Sequence, residues 1–133
     1  MRALLGDTGF VGSILKRKVN FDYFFNRGNI HRLINKKLET IICSAAPGSM
    51  FLANKFPDKD WENINNLISI LETIEADNFI LISTIATLPK LSAGLTEFNR
   101  TDPPENAYGL NRRLLEEFIQ KKFKRNLIVR LPA

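Results

Sequence analysis

The sequence predicts an α/β domain built on a doubly wound, five-stranded parallel sheet. Three observations point there. A short apolar run at residues 3–5 enters a turn with glycines at positions 6, 9 and 12, and a helical pattern follows at once. Further apolar runs of strand length recur along the chain, separated by amphipathic helical stretches. The strand runs are apolar throughout, as strands covered on both faces are. Right-handed crossovers then predict the strand order 2-1-3-4-5, helices on both faces, and a ligand crevice between the C-terminal ends of the first and third strands.

Taken in order, the first strand is Arg2 to Leu5 and the first helix Phe10 to Lys18, with Phe10, Val11, Ile14 and Leu15 on its apolar face. Phe21 to Phe25 reads as a second short strand, ended by Asn26-Arg27-Gly28-Asn29, and Ile30 to Leu33 as a short helix. Thr40 to Ala46 is the third strand, running into the small-residue loop Ser44-Ala45-Ala46-Pro47-Gly48. Met50 to Lys55 fits a turn or two of helix stopped by Pro57. Asp60 to Glu75 is a longer helix whose stripe is Trp61, Ile64, Leu67, Ile68, Leu71 and Ile74. Phe79 to Ser83 is the fourth strand. A long connection, Thr84 to Ala107, carries Pro89, Pro103 and Pro104, and loops of that length in a compact domain are usually functional. Tyr108 to Phe123 is the last helix, with the stripe Leu110, Leu114, Leu115, Phe118, Ile119 and Phe123, and Leu127 to Leu131 is the fifth strand.

Composition sets the outer limits. The 133 residues suit one domain with a real core, and 44% apolar and 25% charged residues are ordinary for a globular chain. No apolar run approaches the roughly 20 residues of a membrane span, and the N-terminus lacks the apolar core of a signal peptide. Cys43 is the single cysteine, so no internal disulfide forms and a reducing cytoplasm is expected. The net charge of +5 is dispersed over Lys16–Lys18, Lys36–Lys37 and Lys121–Arg125, each near a helix end where cations complement the dipole. Such segments lack interleaved aromatics, so no nucleic-acid partner is expected. His31 is lone and reads as surface, Cys43 reads as a small core residue, and no metal site is expected.

The stretch Leu4-Leu5-Gly6-Asp7-Thr8-Gly9-Phe10-Val11-Gly12 organises the rest. Gly6 permits the tight turn, Gly9 lets the backbone approach a phosphate, and Gly12 lets the helix pack close to the strand. The segment Thr8, Gly9, Phe10 and Val11 opens the helix, whose free N–H groups and positive dipole end suit a pyrophosphate. A tight βα turn that binds nothing has the same three glycines, so the pattern alone leaves both open.

Further segments bring a family into view. The glycine loop resembles the Thr-Gly-x-x-Gly-x-x-Gly motif of the extended short-chain dehydrogenases/reductases, the NAD-dependent epimerase/dehydratase family. Ser44-Ala45-Ala46 is similar to that family's small-residue loop beside the cofactor. Asn63-Ile64-Asn65-Asn66-Leu67 matches its intervening helix, and Asn78 through Thr84 its strand bearing the catalytic Ser/Thr. Tyr108-Gly109-Leu110-Asn111-Arg112 resembles its Tyr-x-x-x-Lys helix, and Val129-Arg130-Leu131-Pro132 the strand after it. These segments follow the family's order along almost the whole chain, and Thr84 precedes Tyr108 by 24 residues, a spacing the family shows.

The resemblance implies a Rossmann-like NAD(P)-binding domain of a sugar-nucleotide epimerase, dehydratase or reductase. Tyr108 would take or give the hydroxyl proton, Thr84 would orient the substrate oxygen, and Arg112, one helical turn on, would supply the cation that lowers the tyrosine pKa. On its own, a tyrosine at a helix start after Pro-Pro-Glu-Asn reads more readily as a capping or packing residue. The chain also departs from the pattern. Residue 112 is Arg, bulkier and never deprotonated. Asp7 must point away from a bound pyrophosphate or weaken its binding. The segment Arg27 to Glu39 is too short for the family's extra βα unit, so one edge strand should be missing. Cofactor choice rests on Asn26 and Arg27, about twenty residues past Gly6, where Asn26 suits a ribose hydroxyl of NAD and Arg27 the extra phosphate of NADP. The family continues beyond Arg-Leu-Pro into a C-terminal substrate domain that this sequence lacks. Two functions therefore stand: the dinucleotide half of such an enzyme, with a nucleotide-sugar substrate, or a non-catalytic dinucleotide-binding or interaction module. The family commonly dimerises through the helices corresponding to Asp60–Glu75 and Tyr108–Phe123. Ile70 and Leu115, read as apolar residues off the main stripes, suggest a homodimer here.

Overall fold

The computed structural model describes residues 1–88 and 106–132. The strands are β1 (Arg2–Leu5), β2 (Tyr23–Phe25), β3 (Lys37–Cys43), β4 (Glu75–Thr84) and β5 (Asn126–Leu131), and the helices α1 (Phe10–Lys18), α2 (Met50–Lys55), α3 (Pro57–Leu71) and α4 (Ala107–Lys122). Short 3-10 turns cover Ile30–Leu33 and Ile85–Thr87. All pairings are parallel and the order is β2-β1-β3-β4-β5, as the alternating pattern predicts. Of the long connection after Thr84, residues 89–105, with Pro89, Pro103 and Pro104, lie outside the described residues.

Register explains the core. Ala3, Ile41 and Phe79 lie in one row across the sheet, and Leu5, Cys43, Leu81 and Ile128 in another on the same face. The buried members of these rows pack with Ile64, Leu67 and Leu71 of α3 and Leu115 and Ile119 of α4. Phe123, just past α4, stacks on Phe79 with ring centroids 4.5 Å apart. Helix α1 lies over the alternate face, where Lys16 Nζ stands 4.7 Å from the centre of the Phe24 ring. Coverage there is thinner: Ile42, Ile80, Ile82 and Val129 are half-buried and Leu127 is exposed. Among the described residues no helix is long and apolar enough to cross a membrane.

Several boundaries differ from expectation. β2 begins at Tyr23, not Phe21, and β3 runs Lys37–Cys43, not Thr40–Ala46. The strand thus ends one residue before Ser44, leaving the Ser44–Gly48 segment free as a loop. Pro57 does not merely stop α2. It occupies the first turn of α3, where its fixed φ and missing N–H cost nothing. α3 ends at Leu71, and the residues read as its last turn approach a β4 that starts at Glu75. Parts of the stripes also fail: Phe10, Trp61, Leu110 and Leu114 are exposed. On α4 the inward face instead carries Asn111, Arg112, Leu115, Glu116 and Ile119. Leu115 is therefore core, and Ile70 packs half-buried against the core, so neither is a free apolar residue.

Candidate functional site

The cleft lies where β1 and β3 run side by side and their loops part. Gly6 has φ +88°, and a Cβ there would stand 2.4 Å from the Ser44 carbonyl oxygen. At Gly12 a Cβ would lie 1.8 Å from the Gly6 carbonyl oxygen. Only glycine closes the turn at these two positions. Gly9 is different: its Cβ would meet nothing nearer than the Gly6 oxygen at 3.7 Å, so this residue leaves open space above the turn. Gly9 is also the N-cap of α1, with no side-chain cap, and the first turn holds no acid. The helix's free amides and positive end are uncompensated by its own residues. Asp7 is turned inward and 7% exposed, its carboxylate accepting from Lys16 Nζ and Asn26 Nδ2, each at 3.3 Å. The carboxylate is thereby kept off the space where an anion would sit.

Two hollows flank the turn and share Gly9, Ser44, Ala46, Pro47 and Gly48 as lining. One, of about 650 Å³, is bounded by Gly6, Thr8, Asn26, Arg27 and Ala45 on the sheet side and by Lys59, Asn63 and Asn66 on α3. Asn26 holds its own loop, its Oδ1 accepting the Gly28 N–H at 2.9 Å, while Arg27 is exposed. The other hollow, of about 390 Å³, is lined by Phe10, Val11, Ser83, Thr84, Tyr108 and Arg112 among others. Thus the expected cofactor residues other than Gly12, which is buried, and the expected catalytic residues border two hollows with a shared rim.

At its second end the geometry is more specific than the sequence. Asn106, not Tyr108, caps α4, its Oδ1 accepting the Gly109 N–H at 3.0 Å. The Tyr108 amide donates to Asn54 Oδ1 at 3.0 Å. Thr84 is buried at the end of β4, its Oγ1 accepting the Ala86 N–H at 3.2 Å, which leaves the hydroxyl proton unused by that contact. Arg112 is one turn beyond Tyr108, and its guanidinium stands 4.1 Å from the centre of the tyrosine ring. The charge is nevertheless taken up elsewhere: Arg112 pairs with Asp60 and donates to the Pro47 carbonyl at 2.6 Å. One further turn along, the fully buried Glu116 accepts from Ser83 Oγ at 2.6 Å and from Arg130 at 3.0 and 3.2 Å.

Asp60, Pro47, Glu116 and Arg130 were not singled out as site residues from the sequence. The four-residue spacing of Tyr108, Arg112 and Glu116 was a readable sign of a polar inward stripe. Asp60 had no such sign, since an acid in a helix's first turn ordinarily faces water.

No family model and no curated protein matches the sequence. Solved structures do resemble it. A dTDP-4-dehydrorhamnose reductase from Bacillus anthracis in complex with NADP matches at 22% identity and TM-score 0.72, over 98% of this chain and 53% of that one. A UDP-glucuronic acid 4-epimerase from Bacillus cereus in complex with UDP-glucuronic acid and NAD matches at 18% identity and TM-score 0.66, over 98% and 56%. RMD from Pseudomonas aeruginosa complexed with NADPH matches at 17% identity and TM-score 0.71, over 100% and 55%. The likeness shows the Rossmann-like α/β fold, and the chain spans about half the length of these structures.

Proposed function

We propose that this chain is the NAD(P)-binding domain of an oxidoreductase of the sugar-nucleotide epimerase, dehydratase and reductase kind. The observation that carries the reading is the open Gly9 at the uncapped start of α1, in the shared lining of two neighbouring hollows. A dinucleotide has that shape: a pyrophosphate between two nucleosides. The pyrophosphate would lie on the α1 amides, the adenosine by Asn26 and Arg27, and the nicotinamide by Thr84 and Tyr108. NADP is the better fit. Among the described residues, the lining of the adenosine-side hollow contains the cations Arg27 and Lys59 and no acid to bind a bare ribose. The neighbouring structures hold NADP, NAD and NADPH, which agrees with either cofactor.

When bound, the nicotinamide supplies or accepts a hydride. The Tyr108 hydroxyl would exchange the proton of the substrate hydroxyl or carbonyl, and the Thr84 hydroxyl would orient that oxygen. A nucleotide sugar, as the Bacillus cereus structure contains, is the proposed substrate. The neighbours are nearly twice as long as this chain, and residues that would hold the sugar are proposed to lie in a part corresponding to their remainder, so this chain alone should turn over poorly. A homodimer through α3 and α4 is proposed on the exposed Trp61, Leu110 and Leu114. A cytoplasmic location is proposed on the lone reduced Cys43.

A second reading, a dinucleotide-binding module without turnover, is favoured by Arg112, whose charge is spent on Asp60. Calorimetry with NADP and NAD, followed by turnover assays on nucleotide sugars, tests both. Micromolar uptake of NADP is expected. No heat with either nucleotide at millimolar concentration overturns the dinucleotide reading, whereas binding without any turnover, in this chain or in a longer protein containing it, selects the second.

A further inference from the structure

We propose that the buried Asp60–Arg112 pair is a latch that fixes the width of the cleft, and that nucleotide affinity depends on it. The inference rests on the dinucleotide reading for its ligand, but the latch itself is a property of the free chain. Asp60 sits in the first turn of α3 and is 4% exposed, and Arg112 sits in α4 and is 2% exposed. One guanidinium amino group bonds Asp60 and reaches the Tyr108 carbonyl at 3.4 Å. The other donates to the Pro47 carbonyl at 2.6 Å, and the plane lies over the Tyr108 ring at 4.1 Å. Asn111 Nδ2 donates to the same Asp60 oxygen at 2.7 Å. A single planar group thus joins α3, α4 and the loop after β3. Pro47 lines both hollows and Tyr108 lines one, so the fork sets the separation of the two walls.

Stability alone is a poor account of the pair. A buried ion pair can often be replaced by well-packed apolar residues without loss, because its desolvation offsets its attraction. Here Arg112 Nε is also buried with no partner among the described residues, a further cost that an apolar side chain would not carry. What an apolar pair cannot do is grip the Pro47 carbonyl and hold the loop in place before a ligand arrives, which lowers the ordering cost of binding. Lysine cannot do it either. An ammonium lacks the planar fork that spans Asp60 and Pro47 while stacking on a ring.

The test compares wild type, the double variant Asp60→Leu/Arg112→Met, and Arg112→Lys by thermal melting, NADP calorimetry and amide hydrogen exchange without nucleotide. The double variant is expected to fold but to melt several degrees below wild type, since Asn111 Nδ2 and the Pro47 carbonyl lose their partners, to bind NADP at least tenfold more weakly, and to exchange the Ala45, Ala46 and Gly48 amides at least tenfold faster. Arg112→Lys keeps a charge opposite Asp60 but loses the Pro47 contact, so it should show the same faster exchange and weaker binding in smaller measure. Unchanged exchange at these amides in Arg112→Lys overturns the latch, as does wild-type affinity in either variant. If the double variant fails to fold, Arg112→Lys decides. If wild type binds neither NADP nor NAD, the dinucleotide reading fails, and exchange alone judges the latch.

Discussion

Replacing Gly9 by valine separates the structural glycines from the one that faces the ligand. Gly9 has φ −78° and ψ 174°, an extended conformation that valine adopts readily. A Cβ there would stand 3.7 Å from its nearest neighbour, an ordinary contact. The folding cost is confined to the N-cap, where valine is worse than glycine by about 1 kcal/mol. The added methyl groups enter the space above the first amides of α1. A pyrophosphate held there would lose its close approach, and a loss of about 3 kcal/mol, roughly a hundredfold in Kd, is expected. Gly12→Ala is the contrasting control. Its Cβ would lie 1.8 Å from the Gly6 oxygen and 2.7 Å from the Gly6 carbonyl carbon, so backbone must move, costing about 3 kcal/mol or more. Urea melts give the stabilities and calorimetry with NADP the affinities. Gly9→Val should fold and not bind, whereas Gly12→Ala should fail first in folding. Wild-type affinity in Gly9→Val would refute the placement of the pyrophosphate. Equal destabilisation by the two substitutions would refute the division of labour among the glycines.

Burial pushes the Cys43 thiol up to about 11 from 9.0, so the folded state retains its proton where the unfolded chain releases it. The resulting stability, about 3 kcal/mol, is fully present below pH 9 and lost as pH rises through 11; a Cys43→Ala variant measured by urea melts should lack that dependence. Tyr108→Phe keeps the ring that Arg112 covers, so NADP affinity should change less than threefold while any turnover, by this chain or by a longer protein containing it, falls at least a hundredfold. Comparable turnover would remove Tyr108 from the chemistry. Leu110→Glu with Leu114→Glu places charge on exposed positions of α4, so light scattering should show the dimer lost with little change in melting temperature; a wild-type chain that is monomeric at all concentrations contradicts the proposed interface.

Local pattern was enough for the fold. Apolar runs of strand length, helical spacing between them and right-handed crossovers lead to one parallel order, and the observed β2-β1-β3-β4-β5 sheet is that order. The glycine turn was equally legible, because its demand for glycine at positions 6 and 12 is set by atoms a few residues away in the chain and by one neighbouring loop. Capping was half legible: the helix start was visible at Tyr108, but Asn106 holds the cap. The exposure of Trp61, Leu110 and Leu114 was not legible, since helical spacing gives the angle between side chains and not which face meets the sheet. The inward face is the one on which Leu115 and Ile119 reach the core while Arg112 meets Asp60 and Glu116 meets Ser83, contacts that span long separations. The sequence by itself determined the strand order and the glycine turn at the edge of the cleft, through local pattern and short-range geometry. Only the tertiary structure decided that Arg112 spends its charge on Asp60, because the alternatives differ by contacts between segments 52 residues apart, which no local pattern records.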